Sequence, residues 1–184
     1  MPIVEVHVRE GYSAENKSRL AAALEDTVRS VVCLDDAAVT VVVQEAPPEC
    51  YARVKPSHSP ALHDPLQIAL DFLAAMEARD IKTAEAMLAA GFRMTFPGTQ
   101  PMASIAELIG WAKGRYQFVR KTITSTEAFH QNGRAIVYVT GTLSGAWPDG
   151  EPFEGIRFID RFEIKGAKLI CQDVWNDIAE ERQQ

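Results

Sequence analysis

Pro2-Ile3-Val4-Glu5-Val6-His7-Val8-Arg9, the stretch that follows Met1, alternates along its length. Val4, Val6 and Val8 fall on one face and Ile3, Glu5 and His7 on the other, the pattern of a half-buried strand. Gly11 ends it. Ser13 is suited to cap a helix in which Leu20, Ala21, Leu24, Val28 and Val31 recur at helical spacing through Val32. A second apolar run, Val39-Thr40-Val41-Val42-Val43, stops at Gln44-Glu45. The order predicts a β-α-β unit, and a crossover of this length suits two parallel strands.

The residue at the head of this unit carries the chemistry. An initiator methionine before a small proline is commonly removed, and the chain would then begin with a secondary amine. An α-amino group has a pKa near ~8 in water. An apolar cleft disfavours its cation and lowers that value. A general base works best with a pKa near the working pH. Pro2 is therefore a candidate base at neutral pH, although Met-Pro by itself is an ordinary start.

The stretch from Pro2 to Tyr51 resembles the 4-oxalocrotonate tautomerase family. The likeness rests on Pro2, Ile3 and His7, on Glu10-Gly11, on a helix of matching length, on Val39, Val41 and Glu45, and on an aromatic at Tyr51. The resemblance implies that Pro2 is the general base of an enol–keto tautomerisation. It also implies assembly, with units paired into four-stranded sheets and three pairs around a threefold axis. The family's two carboxylate-binding arginines fall here on Tyr12 and Thr40, which argues against a dicarboxylate substrate. Arg9 either replaces part of that charge or is a solvated strand end. Tyr12 and Tyr51 stand at the implied substrate site, Tyr51 as packing or as an aromatic wall.

At 184 residues the chain has room for a second domain. Prolines 47, 48, 56, 60 and 65 lie in a stretch with little apolar periodicity. The expected division is a β-α-β domain over 1–54, a linker over 55–64 and a second domain over 65–184. His58 and His63 lie in the linker and suggest no metal site. A net charge of −6 with no basic stripe argues against a nucleic-acid partner. Cys33, Cys50 and Cys171 lack metal-ligand spacing and suit reduced thiols in a cytoplasm. No signal peptide is expected from the opening residues, and the sequence contains no apolar run of membrane length. No cofactor is expected.

The second domain opens with Leu66, Ala69, Leu70, Leu73 and Met76 on one helical stripe, with Asp64 as its cap. A second helix is expected over 81–90, closed by Gly91, then a short strand over 92–96. A third helix is expected over 104–116, with Ser104 and Glu107 as a capping box. Strands follow over 119–129, 135–143, 154–164 and 169–175, the second after an Asn132-Gly133 turn. Helices followed by an antiparallel meander predict an α+β fold.

This order, with Asp160-Arg161-Phe162, Gly166, Lys168 and Trp175, resembles the SnoaL-like branch of the nuclear-transport-factor-2-like superfamily from Pro65 to Asp177. The resemblance implies a cone: a bent sheet around helices, enclosing an apolar pocket. Asp160 matches the position of an oxyanion-donating or acid–base aspartate, while the positions of the ketosteroid isomerase base and tyrosine hold Phe96 and Phe72. Asp160 is thus either an acid–base residue in an apolar site or the ionised partner of Arg120, Arg157 or Arg161. Phe72, Phe96, Trp111, Tyr116 and Trp175 are the expected ligand-contacting aromatics, with core packing as the alternative for Trp111, Tyr116, Trp147 and Trp175. The whole reads as a tautomerase-like isomerase acting on a small, apolar or cyclic enolisable carbonyl compound, as a homo-oligomer, most simply a hexamer, with a dimer or trimer as the alternatives. The alternatives are a non-catalytic binding module whose first unit serves assembly, or polyketide-cyclase-like chemistry through Asp160.

Overall fold

The computed structural model describes residues 2–32, 39–50 and 64–181. The chain divides into two compact units, Met1–Ala61 and Leu62–Gln184. Apart from Asp64, the expected linker lies outside the described residues.

In the first unit, strand β1 (Ile3–Arg9), helix α1 (Ala14–Val32) and strand β2 (Thr40–Ala46) follow in order. The strands are parallel, with Val4 beside Val41 and Val6 beside Val43. The alternation read from the sequence is reproduced: Val4, Val6 and Val8 are half-buried while Ile3, Glu5 and His7 are exposed. The Ser13 hydroxyl accepts from the Asn16 amide at 3.1 Å and starts α1. Lys17 on α1 reaches Glu45 at 3.2 Å, and Glu45 is in register with Val8. The helix therefore lies over the valine face. No residue of α1 is buried within the chain. A 3₁₀ turn, Pro48–Cys50, follows β2.

The second unit starts with α2 (Pro65–Glu77), where Asp64 accepts from the Leu66 amide at 3.0 Å, as the sequence predicts. Helix α3 (Ile81–Ala86) is shorter than expected. Residues 88–90, read as helix, belong to β3 (Leu88–Thr95). Leu88 pairs with buried Leu169, the register then shifts before Arg93, and Gly91 takes φ 76° within that irregularity. The glycine is thus part of a strand bulge rather than a helix stop. Helix α4 (Ile105–Ala112) starts on the predicted capping box: Ser104 accepts from the Glu107 amide, and Glu107 accepts from the Ala103 amide, each at 3.2 Å. It ends at Ala112, short of residue 116, because Lys113 leaves helical geometry at φ −60°, ψ 120° and Gly114 follows at φ 86°.

Strands β4 (Phe118–Gln131), β5 (Arg134–Ala146), β6 (Pro152–Lys165) and β7 (Lys168–Asn176) form the expected antiparallel meander, and β3 adds to β7 in parallel. Asn132 and Gly133 both have positive φ, as a tight β4–β5 turn requires. Register shifts after Ile123 and after Leu143 bend the middle of the sheet. Phe72 on α2 meets Phe162 on β6 edge-on at 6.0 Å, and Phe72, Met94, Ile105, Val137, Phe158, Phe162 and Leu169 are fully buried. A short helix α5 (Ile178–Glu181) follows β7.

Candidate functional site

Pro2 lies just before β1 and is half-buried; its carbonyl accepts from the Thr40 amide at 3.0 Å. Sheet pairing thus fixes the acyl side of the residue whose nitrogen is the candidate base. Arg9 closes β1 opposite Ala46, and Tyr12 is 40% exposed beyond Gly11. At roughly 3.3 Å per residue, Arg9 lies about 23 Å along the strand from Pro2. Within one copy, Pro2 and Arg9 therefore cannot grip one small substrate. Tyr51 and Met1 lie outside the described residues.

In the second unit, β6 alternates, as the period-2 order of Phe158-Ile159-Asp160-Arg161-Phe162 in the sequence requires. Phe158, Asp160 and Phe162 point into the core, while Ile159 is 42% exposed. Asp160 is fully buried. Its partner is Lys121, on the inward face of β4, with Nζ 2.5 Å from Oδ2. This corrects the expected arginine pairing. Arg157 instead bonds Asp177 at 2.6 Å, Arg161 bonds Glu163 and Asp173, and Arg120 lies 5.6 Å from the Phe118 ring centre. Gln172 Nε2 also donates to Asp160 Oδ2, at 3.4 Å, whereas Asp160 Oδ1 and Gln172 Oε1 are buried without a partner. Burial pushes the Asp160 pKa above the usual carboxylate range, against the opposing charge and hydrogen bonds of Lys121 and the hydrogen bond from Gln172.

Above this cluster is a cavity of about 610 Å³, lined by Phe72, Leu73, Phe96, Leu108, Tyr116, Val119, Lys121 and Gln172 among others. Phe72, Phe96 and Tyr116 thus line one cavity. Burial raises the pKa of the Tyr116 phenol, with Arg115 opposing, so it remains a donor at neutral pH. Two expected contacts are corrected. Trp111 is not among the lining residues; it packs behind Phe96 at 5.3 Å, with the Arg115 guanidinium 4.2 Å over its ring. Trp175 is in register with Ile159 on the outer face and is 52% exposed, because the alternation that turns Gln172 and Val174 inward sends it outward; it lines a separate outer-face cavity with Ile159 and Asn176. Trp147 packs on Phe153 at 4.6 Å.

Lys121 and Gln172 are the functional candidates that the sequence reading missed. A signal existed: Lys121 sits between Val119 and Ile123 at strand period 2, so a strand read as inward-facing placed a cation inside. Among the described residues, no three His, Cys, Asp or Glu side chains group as a metal site, and no helix is long and apolar enough to cross a membrane.

Residues 2–56 match the family model described as tautomerase enzyme. No curated protein matches the chain. Among solved structures, similarity extends to an NTF2-like protein of unknown function from Burkholderia pseudomallei. That match has 18% identity and a TM-score of 0.53, and covers 64% of this chain and 93% of that one. An NTF2-like protein from Burkholderia thailandensis has 20% identity and a TM-score of 0.51, with 65% and 95% covered. TerC, co-crystallised with polyporic acid, has 13% identity and a TM-score of 0.52, with 64% and 94% covered. At these identities the likeness is one of fold. The chain therefore joins a tautomerase-like β-α-β unit to a C-terminal unit with the NTF2-like fold.

Proposed function

We propose that this protein is a cofactor-independent isomerase of tautomerase type, with Pro2 as general base, whose C-terminal cavity holds a small apolar or cyclic carbonyl ligand. The observation that carries the reading is Pro2 at the head of β1 inside the tautomerase-family match. The amine takes a proton from the enol oxygen, or in the reverse direction from the α-carbon, and a proton returned to the other of these two atoms completes the shift. Removal of Met1 is a condition of this chemistry, since an acylated proline nitrogen is an amide and no base. Tyr12 and Thr40 supply no cation for a second carboxylate, so simple enols and enol-pyruvates fit better than dicarboxylates.

The reading includes a homo-oligomer, with a hexamer favoured. Ile3 is 61% and Val31 76% exposed, and α1 buries nothing in one chain, so a second copy has apolar surface to cover. Arg9 of one copy could then approach Pro2 of another. The odd cysteine count supports a reducing, cytoplasmic setting. For the C-terminal unit alone, the ion pair of Asp160 with Lys121 favours a second reading, a binding chamber without chemistry of its own.

Intact mass would establish whether Met1 is lost, and ketonisation of an enol-pyruvate, followed by absorbance, would test the base. Pro2→Ala should slow that reaction at least ~100-fold. Equal rates for the variant and the wild type would remove Pro2 from the mechanism.

A further inference from the structure

We propose that Lys121 forms a reversible imine with the carbonyl carbon of a small aldehyde or ketone held in the C-terminal cavity, with Asp160 taking the proton from the amine and returning it to the departing oxygen. The inference rests on the reading that this cavity holds a small carbonyl ligand, and gives the cavity a chemistry of its own.

Among the described residues, Lys121 is the one primary amine that lines the cavity, and the wall around it is mostly apolar. Its Nζ is held on two sides: Asp160 Oδ2 accepts from it at 2.5 Å, and the centre of the Phe158 ring lies 4.0 Å away. An ammonium has three donors, and among the described residues this one makes a single hydrogen bond. The side chain is 23% exposed, so the amine is neither sealed in the core nor out in water. Gln172 Nε2 donates to the same Asp160 oxygen at 3.4 Å and steadies the carboxylate. The other charged groups of the lining are placed otherwise. Glu77 accepts from the Lys121 backbone amide at 3.3 Å, and Arg120 lies 5.6 Å from the centre of the Phe118 ring. Among the described residues, Asp160 is therefore the one carboxylate bonded to the amine.

A lysine must lose a proton before its nitrogen attacks a carbonyl, and the ion pair supplies the acceptor. Nζ passes a proton to Asp160 Oδ2, and its lone pair bonds to the carbonyl carbon as the C=O π pair moves to oxygen. A proton shift from nitrogen to that oxygen gives a neutral carbinolamine. Its hydroxyl is carried by the carbon bonded to Nζ, within reach of the carboxyl group that touches Nζ. Asp160 gives its proton to the hydroxyl, the C–O bond breaks, water leaves, and the nitrogen lone pair completes the C=N bond. One ammonium and one carbonyl thus become one iminium and one water, and Asp160 is a carboxylate again. The charge of the buried pair is the same before and after. The iminium keeps the carboxylate and the Phe158 ring as partners, so no ion is left uncompensated. Burial raises the Asp160 pKa, which makes it a better acceptor for the first proton. The iminium draws electrons from the adjacent carbon and loosens its C–H bonds, which are the bonds that an enol–keto shift makes and breaks.

The probe is cinnamaldehyde, a neutral flat aldehyde, incubated at pH ~8 with the full-length protein and cyanoborohydride, which reduces an imine to a stable amine. Intact mass should rise by one probe less one oxygen atom, and peptide mapping should place the label on Lys121 at least ~10-fold above any other lysine. Lys121→Arg keeps a cation beside Asp160 but has no amine to condense, and should lose that label while its circular dichroism stays that of the wild type. If Lys121→Arg does not fold, the wild-type peptide map decides alone. Asp160→Asn should label Lys121 at least ~10-fold more slowly at the same pH and recover rate as pH rises, because the amine must then release its proton to water. Labelling of Asp160→Asn at the wild-type rate would overturn the proton transfer and the proposal with it. Label spread evenly over the lysines, or confined to Pro2, would also overturn it. Cinnamyl alcohol, which has no carbonyl, tests the chamber by itself through a change in intrinsic fluorescence. Binding of the alcohol without trapping at Lys121 sinks this inference and leaves the ligand-chamber reading intact. Neither binding of the alcohol nor trapping at Lys121 overturns both.

Discussion

Helices α1 and α2 are both amphipathic, yet they fare differently. Helix α2 buries Ile68, Ala69, Phe72, Leu73 and Ala75, whereas α1 buries no residue at all. The difference lies in what each helix has to cover. Helix α2 meets a five-stranded sheet bent around it, while α1 lies on two strands. Two strands cannot surround a helix, so the first unit leaves Val31 and Val32 of α1 exposed, along with Ile3 on the sheet face away from α1, while the second closes its core. A sequence pattern specifies a face, but the number of elements that can reach that face decides how much water is removed from it.

The largest test of this contrast is Phe162→Ala. Phe162 is fully buried, and its loss should cost about 3–5 kcal/mol in chemical denaturation, at any protein concentration. In the first unit, Ile3→Glu should cost within about 0.5 kcal/mol in a single chain. The proposed assembly predicts instead a clear drop in sedimenting mass with that variant. An unchanged mass would mean that Ile3 stays in water and that the contrast between the units persists in solution.

Gly141→Ala comes next. A Cβ there would lie 2.0 Å from the Thr122 carbonyl oxygen and 3.0 Å from the Phe158 ring, at the bend of the sheet. We expect a loss of about 2–3 kcal/mol, read as a lower denaturation midpoint. Alanine at Gly11, which has no atom within 4 Å of the added Cβ, should be felt only through its φ of 113°.

Asp160→Asn gives a smaller effect whose sign depends on pH. The folded-state pKa of Asp160 is raised, so folding favours its protonated form. Its stabilising contribution is complete below the ordinary carboxylate pKa and is lost as pH rises through the folded value. Wild-type stability relative to Asp160→Asn should therefore rise on acidification and level off near pH ~4. Melting temperatures of the pair across pH would show this, and the opposite slope would mean that Lys121 holds Asp160 ionised. The smallest effect belongs to Lys17→Ala, which breaks the half-exposed bridge to Glu45 and should shift stability by no more than about 0.5 kcal/mol.

Much of this was legible in the residues. Alternation gave β1 and the inward set Phe158, Asp160 and Phe162, and the caps at Ser13, Asp64 and Ser104 marked helix starts, because these signals act between neighbours in the chain. The misreadings share one cause. Residues 88–90 look helical in isolation, but Leu88 pairs with Leu169. Trp175 looks like core, but the pleat of β7 sends it outward. Asp160 was expected beside an arginine, whereas the lysine that reaches it comes from β4, two strands away across β5.

The sequence by itself determined the β-α-β unit headed by Pro2, the α+β order of the second unit and the inward position of Asp160. Periodicity, capping and turn chemistry are local, and each can be read within a few residues. The tertiary structure alone decided that Lys121 and Gln172 converge on one oxygen of Asp160, that the cavity lies above them, and that Arg9 stands a strand's length from Pro2. Those facts depend on strand register and sheet curvature, which bring residues far apart in the chain to hydrogen-bond distance and which no local pattern encodes.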